Sequence, residues 1–231
     1  MLSRDYDAVA MADGFDAIGY EVREGAPSLF SPDVPVFGCG IGWYNVHFIG
    51  RTWAPETYPE CVRHHLGRRV WAMPLEEAVE AHEPIFIKPI GSGKAFSGQV
   101  FQRGTEAGLD FMWNLETYGG ERPAWCSEVV DMRNEWRALC REGRVVAWSP
   151  NPYRCATWAT PDQRVAEAIA ADLFAGMPEF PASSFDVALL ADGRTVLVEV
   201  NGALALGRYG LPTEEYARCC AAAWKAAMVR P

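Results

Sequence analysis

The clearest pattern in the chain is a series of short apolar runs broken by turn residues. FDVALLA (185–191) and RTVLVEVN (194–201) are apolar almost throughout and flank Asp192-Gly193. Both turn positions accept positive φ, so the pair predicts a β-hairpin with a two-residue turn. EWRALCR (135–141) and RVVAWS (144–149) flank Glu142-Gly143 in the same way and predict a second hairpin. IFIKPI (85–90) and QVFQR (99–103) read as strands on either side of the glycine-rich GSGKAFSG (91–98), and WCSEVVD (125–131) as a further strand. Val165, Ile169 and Leu173 have helical spacing and predict a helix over 163–175. The alanine-rich stretch 213–229 follows Pro212 and predicts another, with Thr213 as N-cap.

The first third is less regular. Residues 1–30 mix helical spacing with turns, and Val34, Val36 and Phe37 lead as a strand into FGCGIGWYN. Residues 57–67 and 74–81 read as short helices, the second with Pro74 in its first turn. Punctuation at Glu83-Pro84 and Ser149-Pro150-Asn151-Pro152 suggests a small N-terminal lobe (1–83), a central lobe (84–150) and a C-terminal lobe (151–231). The fold class expected is α+β.

The hairpin around Asp192-Gly193 carries the most chemical information. Counting outward from a two-residue turn pairs Ala191 with Arg194, Leu189 with Val196, and Asp186 with Glu199. Alternation puts Asn201 on the same face as Glu199. Like charges directly opposed destabilise a sheet. A divalent cation held by Asp186, Glu199 and Asn201 would offset the repulsion; a solvated strand end is the alternative. If the repulsion is uncompensated without metal, Asp186→Asn should stabilise the apo protein.

Lys88 lies within an otherwise apolar strand and needs an anionic partner or a path to water for its tip. Gly91, Gly93 and Gly98 free the following backbone for close approach to a ligand, and its N–H groups could cradle phosphate, with Lys94 adding charge. An ordinary flexible loop is the alternative reading. Glu135 and Arg137 share a strand face, and the same counting opposes Arg137 to Trp148, whose ring could stack on the guanidinium. A solvated rim pair is the alternative there.

Composition narrows the classes. The 231 residues carry 30 acidic and 21 basic side chains, a net charge of -9, which argues against general nucleic-acid binding without excluding a local basic groove. At 49% hydrophobic and 22% charged the chain should build an ordinary core. No apolar run suits a membrane span, and the acidic start lacks signal-peptide character, so a cytoplasmic location is expected. The seven cysteines include no CxxC pair, and Cys219-Cys220 suit apolar filling of a helix. His64 and His65, as neighbours on a helix, are expected to point apart and share no metal.

Taken in order, FIKP, the glycine-rich loop, Asn134-Glu135-Trp136-Arg137, FDVAL and VEVN resemble the ATP-grasp superfamily. KPIGSGKAFSG, NEWRALCREGRVVAW and LVEVNGALALGRYGL are most similar to the small clade named for one arginine and two lysines. The resemblance spans roughly residues 34–211. It implies two α+β lobes sandwiching a nucleotide, with ATP and Mg²⁺ (or Mn²⁺) as cofactors. It also implies that Lys88 contacts the adenine side and α-phosphate, while Lys94, Gly93 and Ser97 cover the β- and γ-phosphates. Glu128, Val129 and Val130 match the adenine hinge, and Asp131 a ribose contact. Asp186, Glu199 and Asn201 match the metal ligands, and Glu135 and Arg137 the pair near the phosphates. Arg208 is the foremost arginine for an anionic substrate, ahead of Arg103 and Arg154.

The family's usual reaction joins a carboxylate to an amine or thiol through an acyl-phosphate. Ligation is therefore the expected function, with a small-molecule or peptide carboxylate donor and an amine or thiol acceptor as partners. A phosphotransferase on the same fold, or a nucleotide-binding module without turnover, are the alternatives.

Overall fold

The computed structural model describes residues 6–23, 25, 51–91, 95–155, 159–204 and 206–229. The expected strand at 34–37 and its glycine loop lie outside them. The backbone divides into two units, Leu66–Asp131 and a second made of Met1–His65 with Met132–Pro231.

The smaller unit is a four-stranded antiparallel sheet ordered β1-β4-β2-β3, from β1 (Val70–Pro74), β2 (Ile85–Pro89), β3 (Gln99–Phe101) and β4 (Pro123–Glu128). Its core gathers Ile85, Ile87, Phe96, Phe101, Phe111, Tyr118, Ala124 and Cys126 with α2 (Leu75–Ala78). Phe111 and Tyr118 come from a helix over Glu106–Tyr118, α3, that the apolar spacing does not announce. Only Phe111 and Tyr118 among its large apolar side chains are fully buried, while Leu109 and Trp113 are each 70% exposed and blur the period. Its start is marked instead by Thr105, whose Oγ1 accepts the Gly108 N–H at 3.1 Å.

The larger unit is built on the sheet β6-β5-β7-β8, from β5 (Met132–Arg141), β6 (Arg144–Cys155), β7 (Ala182–Leu190) and β8 (Thr195–Gly202), all antiparallel. The helices α1 (Tyr6–Ala17) and α5 (Thr213–Val229) share one core with Leu139 and Ala182 of the sheet. Cys219 and Cys220 are buried in it. A 3-10 helix, Glu60–His65, packs against α4 (Gln163–Gly176), whose N-cap is Asp162. Both helices predicted in the C-terminal half are therefore present.

The two expected lobe boundaries fall elsewhere. β1 pairs with β4, so residues 66–83 belong with the Lys88 strand rather than with a separate N-terminal lobe. β6 runs unbroken through Pro150 and Pro152. It is an edge strand, where a missing N–H costs no ladder bond on the open side, so these prolines mark no boundary.

Candidate functional site

Asp186 does stand opposite Glu199, but not by the expected route. The hairpin loop has three residues: the Leu190 N–H donates to the Arg194 carbonyl at 2.8 Å, and Gly193 takes φ 85°. That shifts the near register by one, pairing Leu189 with Thr195 and Val187 with Leu197. A bulge at Val198 then restores the count, and Asp186 meets Glu199. Two departures from the simple hairpin cancel at the acidic pair.

The companion hairpin has one uncompensated shift. A bulge at Val146 pairs Arg137 with Ser149 and Ala138 with Trp148, so Trp148 lies on the other face from Arg137. Trp148 meets Trp136 instead, with ring centroids 5.0 Å apart. The ring over the Arg137 guanidinium is that of Tyr209, 4.3 Å from its centroid.

Ser149, Arg137, Asp186 and Glu199 therefore form one row across all four strands. Arg137 grips Asp186 through two parallel bonds, Nε to Oδ1 and Nη2 to Oδ2, each 2.8 Å. Its Nη1 donates to the Gly207 carbonyl at 2.9 Å. Only 7% of Arg137 and 3% of Asp186 is exposed. Burial alone would lower the Arg137 pKa, but the bonds and charge of Asp186 outweigh it and push the pKa up, so the guanidinium stays charged. The opposed-carboxylate argument needs correction here: Arg137, rather than a cation alone, offsets the negative charge of Asp186.

Glu135 lies one alternate position along β5. Its Oε1 accepts the Asn151 Nδ2–H at 2.6 Å, and Arg154 stands 3.9 Å from Oε2. Burial raises its pKa, with further upward pushes from Asp186 and Glu199; the Asn151 bond and Arg154 pull the other way. Asn201 donates to Glu199 Oε1 at 3.2 Å, which fixes the two side chains as a pair on β8. Three carboxylates thus lie within one another's field, beside an amide, in a partly dry sheet face. Each Asp186 oxygen retains acceptor capacity beyond its bond to Arg137. This donor set of hard oxygens with surplus negative charge fits a divalent cation of the Mg²⁺ type.

Residues 206–211 lie along this row. The Ser149 hydroxyl donates to the Tyr209 carbonyl, and Tyr209 holds a left-handed φ of 51°. Arg208 braces the same loop, its Nη1 donating to the Leu211 carbonyl at 2.6 Å. Arg103, by contrast, pairs with Glu80 at the surface at 2.7 Å. Tyr209 and Asn151 were invisible as site residues in the sequence, because a loop and a bulged edge strand bring them in.

In the smaller unit Lys88 is half-buried on β2, opposite Trp125 and on the same face as Phe86. Gly98 packs so closely on that face that a Cβ there would lie 2.6 Å from Phe86 Cζ and 3.0 Å from Lys88 Cβ. The glycine-rich loop is thereby held over the lysine strand, with Phe96 anchored edge-on against Phe111 and Tyr118. Ser97 is exposed, while Gly93 and Lys94 lie outside the described residues. Glu128 ends β4, and its Oε2 accepts the Arg69 N–H at 3.0 Å. Val129 and Asp131 are exposed and Val130 half-buried in the segment where the chain leaves this unit.

Two antiparallel α+β units in this chain order define an ATP-grasp fold. The chain belongs to the ATP-grasp family: residues 65–219 match the model for the ATP-grasp domain of family 2 in the clade named for one arginine and two lysines. Solved structures agree on the fold. D-cycloserine synthetase DcsG matches at TM-score 0.64 and 14% identity, over 97% of this chain and 95% of that one. A RimK domain ATP-grasp protein from Sphaerobacter thermophilus matches at TM-score 0.57 and 14% identity, over 96% and 94%. The N5-carboxyaminoimidazole ribonucleotide synthetase purK, solved as its ADP complex, matches at 0.56 and 13%, over 92% and 74%. Among curated proteins none matches the chain. Among the described residues, no helix is long and apolar enough to cross a membrane.

Proposed function

We propose that this protein is an ATP- and Mg²⁺-dependent ligase that joins a carboxylate to an amine or thiol. The observation that supports it best is the cross-strand row Arg137–Asp186–Glu199, flanked by Glu135 and Asn201, within a chain of the ATP-grasp family. Glu199 and Asn201 hold the cation, with Asp186 shared between it and Arg137. When bound, Mg²⁺ neutralises phosphate charge. Lys88, with Lys94, Gly93 and Ser97 of the following loop, takes the phosphates of ATP, and Glu128, Val130 and Asp131 take the adenosine.

In the first step a substrate carboxylate oxygen attacks the γ-phosphorus, and the bond to the β-phosphate oxygen breaks to release ADP. The amine or thiol then attacks the acyl carbon, phosphate leaves with the bonding pair, and the nucleophile loses a proton. The residues act by position and charge. Arg137 is the fixed cation near the transferring phosphoryl group, held rigid by Asp186 and Tyr209. Glu135, with its raised pKa, accepts the nucleophile's proton more readily than a solvated carboxylate would. Arg208 supports the loop beside the substrate and presents charge to an anionic donor.

The test is product analysis with Mg-ATP and panels of carboxylates and amines. Ligation gives ADP, phosphate and an amide or thioester. In Glu199→Gln, ADP formation should fall by at least about 100-fold while the fold persists. A stable phosphoester product would make the protein a kinase, and an ATP-induced thermal shift without ADP would make it a binding module. Unchanged turnover in Glu199→Gln would remove the cation from β8.

A further inference from the structure

The 3-10 helix Glu60–His65 and α4 bring together three side chains for which the ligase reading has no use. The Nε2 atoms of His64 and His65 both approach Asp172 Oδ2, at 3.1 and 2.8 Å, and the two rings lie 4.0 Å apart between centroids. The expectation that these neighbouring histidines point apart therefore fails. The reason is that a carboxylate on another helix gives both rings a common target.

We propose that His64, His65 and Asp172 form a second metal site, for a zinc-type transition ion. The three ligand atoms lie within 4.8 Å of one another. Zinc sits about 2.0–2.2 Å from imidazole nitrogen and carboxylate oxygen, so ligand atoms sharing a tetrahedral ion lie about 3.3 Å apart. The two histidine–aspartate separations need to open by only a few tenths of an ångström. Two imidazoles and one carboxylate suit Zn²⁺ rather than Mg²⁺, which takes oxygen ligands. The exposed His64 leaves the remaining coordination position to water.

The scaffold under the three ligands is firm. Val62 is fully buried beneath the 3-10 helix. Gly176 closes α4 so tightly on it that a Cβ there would lie 2.4 Å from Cys61 Cβ. The local field is negative: after burial itself, the charges of Asp172, Glu179 and Glu60 are what raise the Cys61 pKa. Bound metal would tie the 3-10 helix to α4, joining the Met1–His65 segment to the body of its unit.

The site is independent of the ligase reading and is tested without nucleotide. Untagged, metal-free protein is titrated with Co²⁺, then with Zn²⁺. One Co²⁺ per chain should bind with visible d–d absorption of a low-coordinate ion, and Zn²⁺ should displace it. His64→Ala and Asp172→Asn should each weaken binding beyond the roughly 10- to 100-fold that losing a ligand's hydrogen-bond partner costs. Cys61→Ser should leave it unchanged. Metal-free melting curves check that each variant is folded, and His64→Ala alters a largely exposed side chain, so its fold is expected to survive. No d–d band in the wild type, equal affinity in His64→Ala and Asp172→Asn, or loss in Cys61→Ser overturns the site.

Discussion

Asp186→Asn separates two accounts of the acidic hairpin. If opposed carboxylates dominated, removing one charge would stabilise the metal-free protein. The Arg137–Asp186 pair reverses that sign. Both side chains are less than a tenth exposed, and both Asp186 oxygens accept from the guanidinium at 2.8 Å. Breaking a buried pair from one side costs about 3–5 kcal/mol, because the remaining charge is left uncompensated. Asparagine keeps one acceptor oxygen, which returns about 1 kcal/mol. Relief of repulsion from Glu199 and Glu135 returns a further amount of about the size of a surface pair, roughly 0–1 kcal/mol. The net expectation is a loss of about 1–4 kcal/mol without Mg²⁺. At about 2–4 °C per kcal/mol for a chain of this size, the midpoint should fall by roughly 2–16 °C in a metal-free, nucleotide-free thermal scan. Replacing the pair together, Arg137→Met with Asp186→Leu, should recover much of that loss. An apo midpoint that rises in Asp186→Asn would refute the claim that Arg137 dominates the charge balance of the row.

Glu135 provides a pH test. Its folded pKa lies above its unfolded value, so the folded state binds the proton more tightly. Stability therefore falls as pH rises through the window between the two values, and the buried carboxylate is a cost at neutral pH. Glu135→Gln, which keeps an acceptor for Asn151, should raise the melting temperature at pH 7.5, with the gain shrinking as pH falls toward the usual carboxylate range near about 4. A gain independent of pH would mean that packing rather than ionisation is responsible. At the other unit, Thr105→Ala should cost about 1 kcal/mol in urea unfolding through loss of the α3 N-cap. No change would show that the cap bond to Gly108 contributes nothing to α3.

Local pattern alone specified most strands and the two long helices of the C-terminal half, because each apolar period is bounded by turn or cap residues that act locally. It also specified that Asp186 faces Glu199 and that Lys88 is a half-buried cation beneath a glycine-rich loop, which was enough for the family to be legible. Packing between distant segments decided the rest. Bulges at Val146 and Val198 each add one residue to a strand, and no local pattern announces them, so one moved Trp148 off the Arg137 face and the other brought Glu199 back onto the Asp186 row. Tyr209 reaches Arg137, and Asp172 reaches His64 and His65, across long stretches of chain. α3 and β1 gain their place only by packing against β3 and pairing with β4. Local periodicity records which face of an element is apolar; it does not record which charge another element brings to that face, and here that charge decides whether Asp186 is repelled or held.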